Sequence, residues 1–448
     1  MSEGPLESLW QALAGAQAPE FDVRGAGRFL GSPFALDQTA VAAIGASLLA
    51  AAELAEERGA KRPVASLERA HAALAFSSER RLRAERPLGP GFAPLSRFAA
   101  TADGHIRLHA NYPHHRTALL HVLGDPPDER AALAAVSLRG GDELEQAIVT
   151  AGGAAARVRS ASDWRAHPQG EATIGLSPLD LEPGAAEAPA LPPPGPLPCS
   201  GLRVLDFTRV IAGPVGTRML AALGAEVLRI DAPQMPELEL HVLDGMVGKR
   251  SALLDLRAPA GRATLSELLA GADVVVQGYR PGALEIFGLD HASLSLRHPH
   301  LVTVTLTAWG HEGPWAGRRG FDSLVQAACG IALACGDAER PGALPVQALD
   351  HATGYLIAAA ALRGLTLRAR TGRAAHARLA LTRTASWIVS QTRDGSEPAM
   401  QADPEPRLVE VSSPAGPLRC LSPPGSLDGR ALSWPRGVPT VGGDPPTW

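Results

Sequence analysis

Cysteine is scarce: four in 448 residues (Cys199, Cys329, Cys335, Cys420), with no CxxC pair and no His/Cys cluster at zinc spacing. That excludes a disulfide framework and a structural metal, and fits a reducing cytoplasm. An excess of either charge is also missing, since 42 Lys+Arg against 46 Asp+Glu leaves a net charge of -4. Such a surface has no basic field to hold a nucleic acid or an anionic bilayer, so neither is expected as a partner and a small molecule is. The start, Met-Ser-Glu-Gly-Pro-Leu-Glu, lacks the basic and apolar segments of a signal peptide. No apolar run is long: Val41 to Ala52 and Tyr355 to Leu362 are Ala-rich and flanked by charge, well under the roughly 20 residues that cross a bilayer. They are expected as buried helices. What remains is 45% hydrophobic, enough for a large core in two or three domains.

Proline marks the boundaries. LEPGAAEAPALPPPGPLPCS, from Leu181 to Ser200, is too proline-rich for helix or ladder and reads as a stiff linker. Beyond it, strands are expected at Arg203 to Phe207, Glu226 to Asp231, Ala252 to Leu256, Asp273 to Gln277 and Leu301 to Thr307. Helices are expected at Val215 to Leu223, Gly261 to Ala270 and Asp322 to Ala334. Doubly apolar strands separated by helices predict an α/β fold with a Rossmann-like parallel sheet over residues 201–394. Residues 1–180 read instead as a smaller α+β unit. It has helices at Gln38 to Arg58 and Val64 to Ala75, a strand at Gly104 to Leu108, helices near Thr117 and Leu144, and an N-cap around Ser162-Asp163-Trp164. Residues 395–448, rich in Pro, Gly and Ser, are expected to wrap a finished domain.

Asp350 stands just ahead of an Ala-rich helix, followed by His351. Aspartate at a helix start is either a cap for orphan backbone N–H groups or a nucleophilic carboxylate. Residue type alone favours the cap. Phe34-Ala35-Leu36-Asp37 echoes Gln347-Ala348-Leu349-Asp350, and Asp37 is read as structural. The turn Arg209 to Pro214 follows the first strand, where free N–H groups admit an anion. It lacks GxGxxG, yet Asp231 falls near the ribose-binding spacing, so a nicotinamide-dependent oxidoreductase stays open. Tyr279-Arg280-Pro281-Gly282 and Arg318-Arg319-Gly320-Phe321-Asp322 lie after strands, where open sheets bind ligands. Their arginines either meet phosphate or pair with a neighbour such as Asp322. His105, His109, His114, His115, His311 and His351 show no metal spacing and are left as surface or pocket residues.

The blocks GLRVLDFTRVIAGPVGTRMLAALGAEVLRIDAP from Gly201, GKRSALLDLRAPAGR from Gly248, ADVVVQGYRPGALEIFGLD from Ala272 and RRGFDSLVQAACG from Arg318 occur in this order. Together they resemble class III CoA-transferases (CaiB/BaiF type), the superfamily of formyl-CoA transferases and 2-methylacyl-CoA racemases. DGHIRLHANYPHHRTALLHVLGDP from Asp103 and ASDWRAHPQG from Ala161 are similar to the small domain that usually follows the large one. Here the order is reversed, as in a rearranged or fused chain. The resemblance implies Asp350 as the nucleophile of a CoA-transferase that works through an aspartyl anhydride and an aspartyl-CoA thioester. It implies CoA contacts at Val210, Ile211, Leu254, Asp255, Leu256, Arg257, Gly278, Tyr279, Arg280, Arg319, Gly320, Phe321 and Asp322. Coenzyme A thioester is then a substrate, with no permanently bound cofactor and no metal; typical members interlock as homodimers, and a fused chain either keeps such a partner or encloses its site alone. Three departures stand out. Ala232 stands where the family often has Arg, Leu88-Gly89-Pro90-Gly91 is the nearest match to a mobile glycine loop, and Phe321 stands where racemases carry their histidine. The alternatives are an acyl-CoA racemase or isomerase, kept open by His351, and a non-catalytic CoA-ester binding protein.

Overall fold

The structure is a computed structural model and describes residues 4–391 and 399–448. The expected boundary at 394/395 lies outside the described residues. Near the N-terminus, helix α1 (Leu36–Glu57) is 22 residues of mostly Ala and Leu. By length and composition it is the one helix among the described residues able to cross a bilayer, but nearly all of its apolar window is packed inside the protein. Residues 64–75 depart from a single helix: Ala65–Glu68 is a strand that pairs with Asp22–Arg24 and with Ser426–Leu427, and the helix begins only at Arg69. Partners distant in sequence decide that segment, so local helix propensity loses. A small sheet follows, β1 (Phe98–Thr101), β2 (Gly104–Leu108) and β3 (Ala155–Arg157), all antiparallel, with helices Pro113–Val122, Glu129–Ser137 and Gly141–Thr150 closing its core. The N-cap expected near Ser162 is Ser160, which forms a capping box with Asp163.

The chain then builds one seven-stranded sheet from β4 (Leu179–Pro183), β5 (Arg203–Phe207), β6 (Glu226–Asp231), β7 (Arg250–Leu253), β8 (Val274–Gln277), β9 (Val302–Thr307) and β10 (Ala375–Ala380). Their order is β7-β6-β5-β8-β9-β10-β4. All are parallel except β4, which runs antiparallel along β10 at the edge. Mixed α/β architecture around a Rossmann-like parallel sheet is therefore the fold. The linker expected from Leu181 starts instead as a ladder: Leu181, Glu182 and Pro183 pair with Ala377, His376 and Ala375. An edge strand tolerates Pro183 because its missing N–H faces no second neighbour. Further along, the Arg58 guanidinium donates to the carbonyls of Pro192, Pro193, Pro198 and Ser200, tying the proline segment to the end of α1.

Strand β7 ends earlier than expected because Asp255 accepts the N–H of Arg257, turning the chain out of the ladder. Helix α2 (Ala212–Ala222) follows β5, helix α3 (Asp322–Ala328) lies beyond β9, and helix α4 (Ala348–Thr371) leads into β10. The expected helix to Ala334 breaks at Gly330, whose φ of +88° needs a residue without Cβ, and resumes as the short turn Ile331–Ala334. Helix α4 packs lengthwise on α1 and α2. Between α4 and α2 the backbones touch: a Cβ on Gly216 would come 2.6 Å from the Gly354 carbonyl oxygen, and one on Gly354 2.7 Å from that of Ala212. This contact brings the N-terminal ends of α2 and α4 together. A single added methyl there costs about 1–3 kcal/mol through overpacking.

Candidate active site

The strand order reverses between β5 and β8, and at such a switch point the loops at the carboxyl ends part to leave a crevice. Two cavities occupy it. One, of about 440 Å³, is lined by the loops after β5, β7, β8 and β9. The other, of about 720 Å³, lies between the large sheet's loops and residues 79–92 of the N-terminal unit. Asp350, Val210 and Phe321 line both, so Asp350 stands where the two spaces meet.

Asp350 lies in the first turn of α4, but it is not that helix's cap. The cap comes from another helix: Asp322 Oδ2 accepts the N–H groups of Leu349 (2.8 Å) and Asp350 (3.0 Å), while its Oδ1 accepts from Gln326. Gln326 is fixed in turn, because its Oε1 accepts the N–H of Leu344. The Asp350 carboxyl is left with no hydrogen-bond partner among the described residues and is only 7% exposed. Burial pushes its pKa well up, and the charges of Asp322 and Glu79 add to that. Burial likewise pushes Asp322 up to about 6, against the hydrogen bonds that favour its charged form. An ionised, poorly solvated carboxylate without donors is a reactive nucleophile. Asp37, the echo, differs: its two oxygens accept the N–H groups of Phe29 and Leu30, which closes a loop.

The turn after β5 is built on a buried charge. Asp206 accepts from Thr208, Thr217 Oγ1 (2.6 Å) and Lys249 Nζ (2.8 Å). Burial opposes its charge, but Lys249 and Arg229 hold it below the usual range. Burial also pushes Lys249 down to about 8. Val210 next along has φ +69°, a left-handed conformation that costs a β-branched residue about 1–3 kcal/mol. Glu237 holds it there, accepting the Val210 N–H at 3.1 Å. The same carboxylate accepts from Tyr112 Oη (2.5 Å) and pairs with Arg209 and Arg229, so it joins the small unit to the floor of the smaller cavity.

Asp350 and every residue that the resemblance implied as a CoA contact line one of these spaces, whereas Asp37, Asp231, His105, His311 and His351 line neither. Val210, Leu254, Asp255, Leu256, Arg257, Gly278, Tyr279, Arg280, Arg319, Gly320 and Phe321 line the smaller one. Ile211 and Asp322 face the larger. The arginines divide. Arg257 pairs with Asp255, and Arg318 donates to Gln146 and lies near Glu145. The side chains of Arg280 and Arg319 have no acceptor among the described residues, and Arg319 is pushed down by burial and by the charge of Arg280. Two guanidiniums facing one cavity without a partner among the described residues are able to hold an anion. Asp322, which sequence reasoning offered as their partner, is engaged with α4 instead.

Sequence reasoning missed the contribution of the N-terminal unit. His109 stacks on Phe321 at 3.6 Å, with Tyr112 and His115 around the same ring and His114 against His115. Glu79 binds His351 Nε2 at 3.0 Å, which turns that imidazole toward Phe76. The sequence had left His109, His114, His115 and His351 as surface or pocket residues and marked the block from Asp103 as similar to a small domain, without assigning any of them to the site; Glu79 and Glu237 carried no signal. No group of three or more metal-ligating side chains occurs among the described residues.

Residues 199–420 match the family described as CoA-transferase family III. Among curated relatives, a probable fatty acyl-CoA transferase of Mycobacterium tuberculosis is 36% identical over 39% of this chain and 48% of its own length. The succinyl-CoA:glutarate CoA-transferase of Mus musculus is 33% identical over 39% of this chain and 43% of its own. The chain spans about half the length of the curated relatives it matches. A crystal structure of a CaiB/BaiF family protein from Brucella suis is 30% identical, covering 49% of this chain and 64% of that one at a TM-score of 0.39.

Proposed function

The chain belongs to CoA-transferase family III over residues 199–420, and on that premise we propose that it moves coenzyme A from an acyl thioester to a carboxylic acid with Asp350 as the nucleophile. The observation that carries the reading is a buried carboxyl at the junction of two cavities, relieved of capping duty by Asp322. In this reading Arg280 and Arg319 hold the phosphates of CoA in the smaller cavity. Val210 and Phe321 confine the thioester to the junction.

The Asp350 carboxylate attacks the acyl carbonyl, the C–S bond breaks, and a mixed anhydride and CoA thiolate result. The thiolate attacks the aspartyl carbonyl, releasing the first acid and leaving an aspartyl-CoA thioester. The incoming carboxylate attacks that thioester, giving a second anhydride and thiolate. Attack of the thiolate on the new acyl carbonyl forms the product thioester and restores Asp350. No proton or electron is gained or lost over the cycle. Exclusion of water is what protects the anhydride from hydrolysis.

Mass spectrometry of protein incubated with an acyl-CoA tests this. A CoA adduct on the peptide containing Asp350, absent in Asp350→Asn together with turnover, is the expected result. Tight CoA-ester binding without adduct across a broad donor panel would support the binding-protein alternative, and exchange of the α-proton without CoA transfer would support the racemase.

A further inference from the structure

If Asp350 meets the thioester carbonyl, the two halves of the substrate must leave it in different directions. The smaller cavity carries the unpaired Arg280 and Arg319 and suits the polyanionic CoA half. The acyl half is then directed into the larger cavity. That space holds about 720 Å³, in the upper part of the range that accommodates drug-sized ligands. At about 30 Å³ per water in the liquid, it has room for roughly two dozen water-sized groups, far beyond an acetyl or succinyl group. Leu82, Leu88, Phe92, Ile211 and Leu240 give it an apolar wall, and Arg80, Arg83, Glu85 and Arg86 line it as well.

We propose that the larger cavity is an acyl site for bulky carboxylic acids with an apolar body, carried by its volume and by the apolar wall that Leu82, Leu88, Phe92, Ile211 and Leu240 form beside the cavity face of Asp350. The same cavity serves donor and acceptor in turn, because both acyl groups bond to the same carboxylate. This inference rests on the transferase reading and adds a substrate class to it: fatty or polycyclic acids rather than short acids.

The test measures kcat/KM for acyl-CoA donors from acetyl to hexadecanoyl, with a polycyclic acid thioester as a further arm, alongside adduct formation on Asp350. The expected result is a rise of at least about a hundredfold between acetyl and dodecanoyl, well below the roughly millionfold that full burial of ten methylenes would give. Which of the long-chain and polycyclic arms is faster identifies the shape within the class. Gly91→Phe should lower the dodecanoyl to acetyl ratio at least tenfold. A Cβ there would sit 3.8 Å from Leu240 Cδ2, in ordinary contact, so the ring enters the cavity without backbone strain. Gly89→Phe, with nothing within 4 Å of its Cβ, is the second variant. An adduct from every donor with a flat or falling chain-length profile would overturn the acyl-site proposal and leave the transferase reading standing. No adduct from any donor would overturn both.

Discussion

Asp322→Asn separates two effects that the structure assigns to one side chain: holding the start of α4, and repelling the negative charge of Asp350. Asparagine keeps the shape, and its single carbonyl oxygen can still accept from Leu349 and Asp350, which now share Oδ2. The amide NH₂, however, replaces the oxygen that accepts from Gln326, and Gln326 cannot turn over without losing Leu344. One buried hydrogen bond fails, at a cost of about 1–3 kcal/mol. A second, pH-dependent part follows from linkage. Asp322 has its folded pKa raised to about 6, so the proton it binds on folding stabilises fully below its unfolded value and ceases to do so as pH rises through 6. With an unfolded value of about 3.9, that contribution is still about 1 kcal/mol at pH 5 and has vanished by pH 8. The denaturation deficit of the variant should therefore shrink by about 1 kcal/mol between pH 5 and pH 8. Activity should move independently. Asp350 works ionised and is pushed up by burial and by its neighbours, so turnover rises with pH, and removing the Asp322 charge should shift the rising limb toward acid. Chemical denaturation at both pH values and a single-turnover pH profile provide the readouts. A limb that stays in place or moves alkaline would refute the electrostatic coupling. A deficit that grows with pH would refute the assignment of the raised pKa to Asp322.

Two further outcomes follow. Asp37→Asn should keep transfer activity and adduct formation at Asp350 while costing about 1–2 kcal/mol in denaturation, since it weakens two loop hydrogen bonds remote in role from the junction. Glu237→Gln should raise KM for the CoA thioester more than it lowers single-turnover kcat, and should destabilise the fold by about 3–5 kcal/mol because Arg209 and Arg229 lose a buried partner. An unchanged KM would mean that the strained Val210 backbone does not depend on Glu237.

The alternation of doubly apolar strands with helices made the parallel sheet legible, and the motif blocks from Gly201 to Gly330 carried the resemblance. Those signals are local: strand burial is written in consecutive side chains, and a turn after a strand is written in its glycines and prolines. Asp350 was legible as a choice, cap or nucleophile, because both roles ask for aspartate at a helix start. The fold removed the first role, by placing Asp322 from another helix on the backbone N–H groups that a cap would hold; the second is the role proposed for it. Strand Ala65–Glu68, the ladder through Pro183 and the left-handed Val210 were likewise invisible locally, because each depends on a partner far along the chain.

The sequence by itself determined the elements that bury their own side chains, together with the residue types available for chemistry. Tertiary structure decided which of those residues share a space: it joined Glu79, His109 and Tyr112 of the N-terminal unit to the carboxyl ends of the sheet, and left one carboxyl at their junction without a donor among the described residues. The physical reason is that burial and electrostatic environment are properties of neighbours in space, and the neighbours here are separated by hundreds of residues.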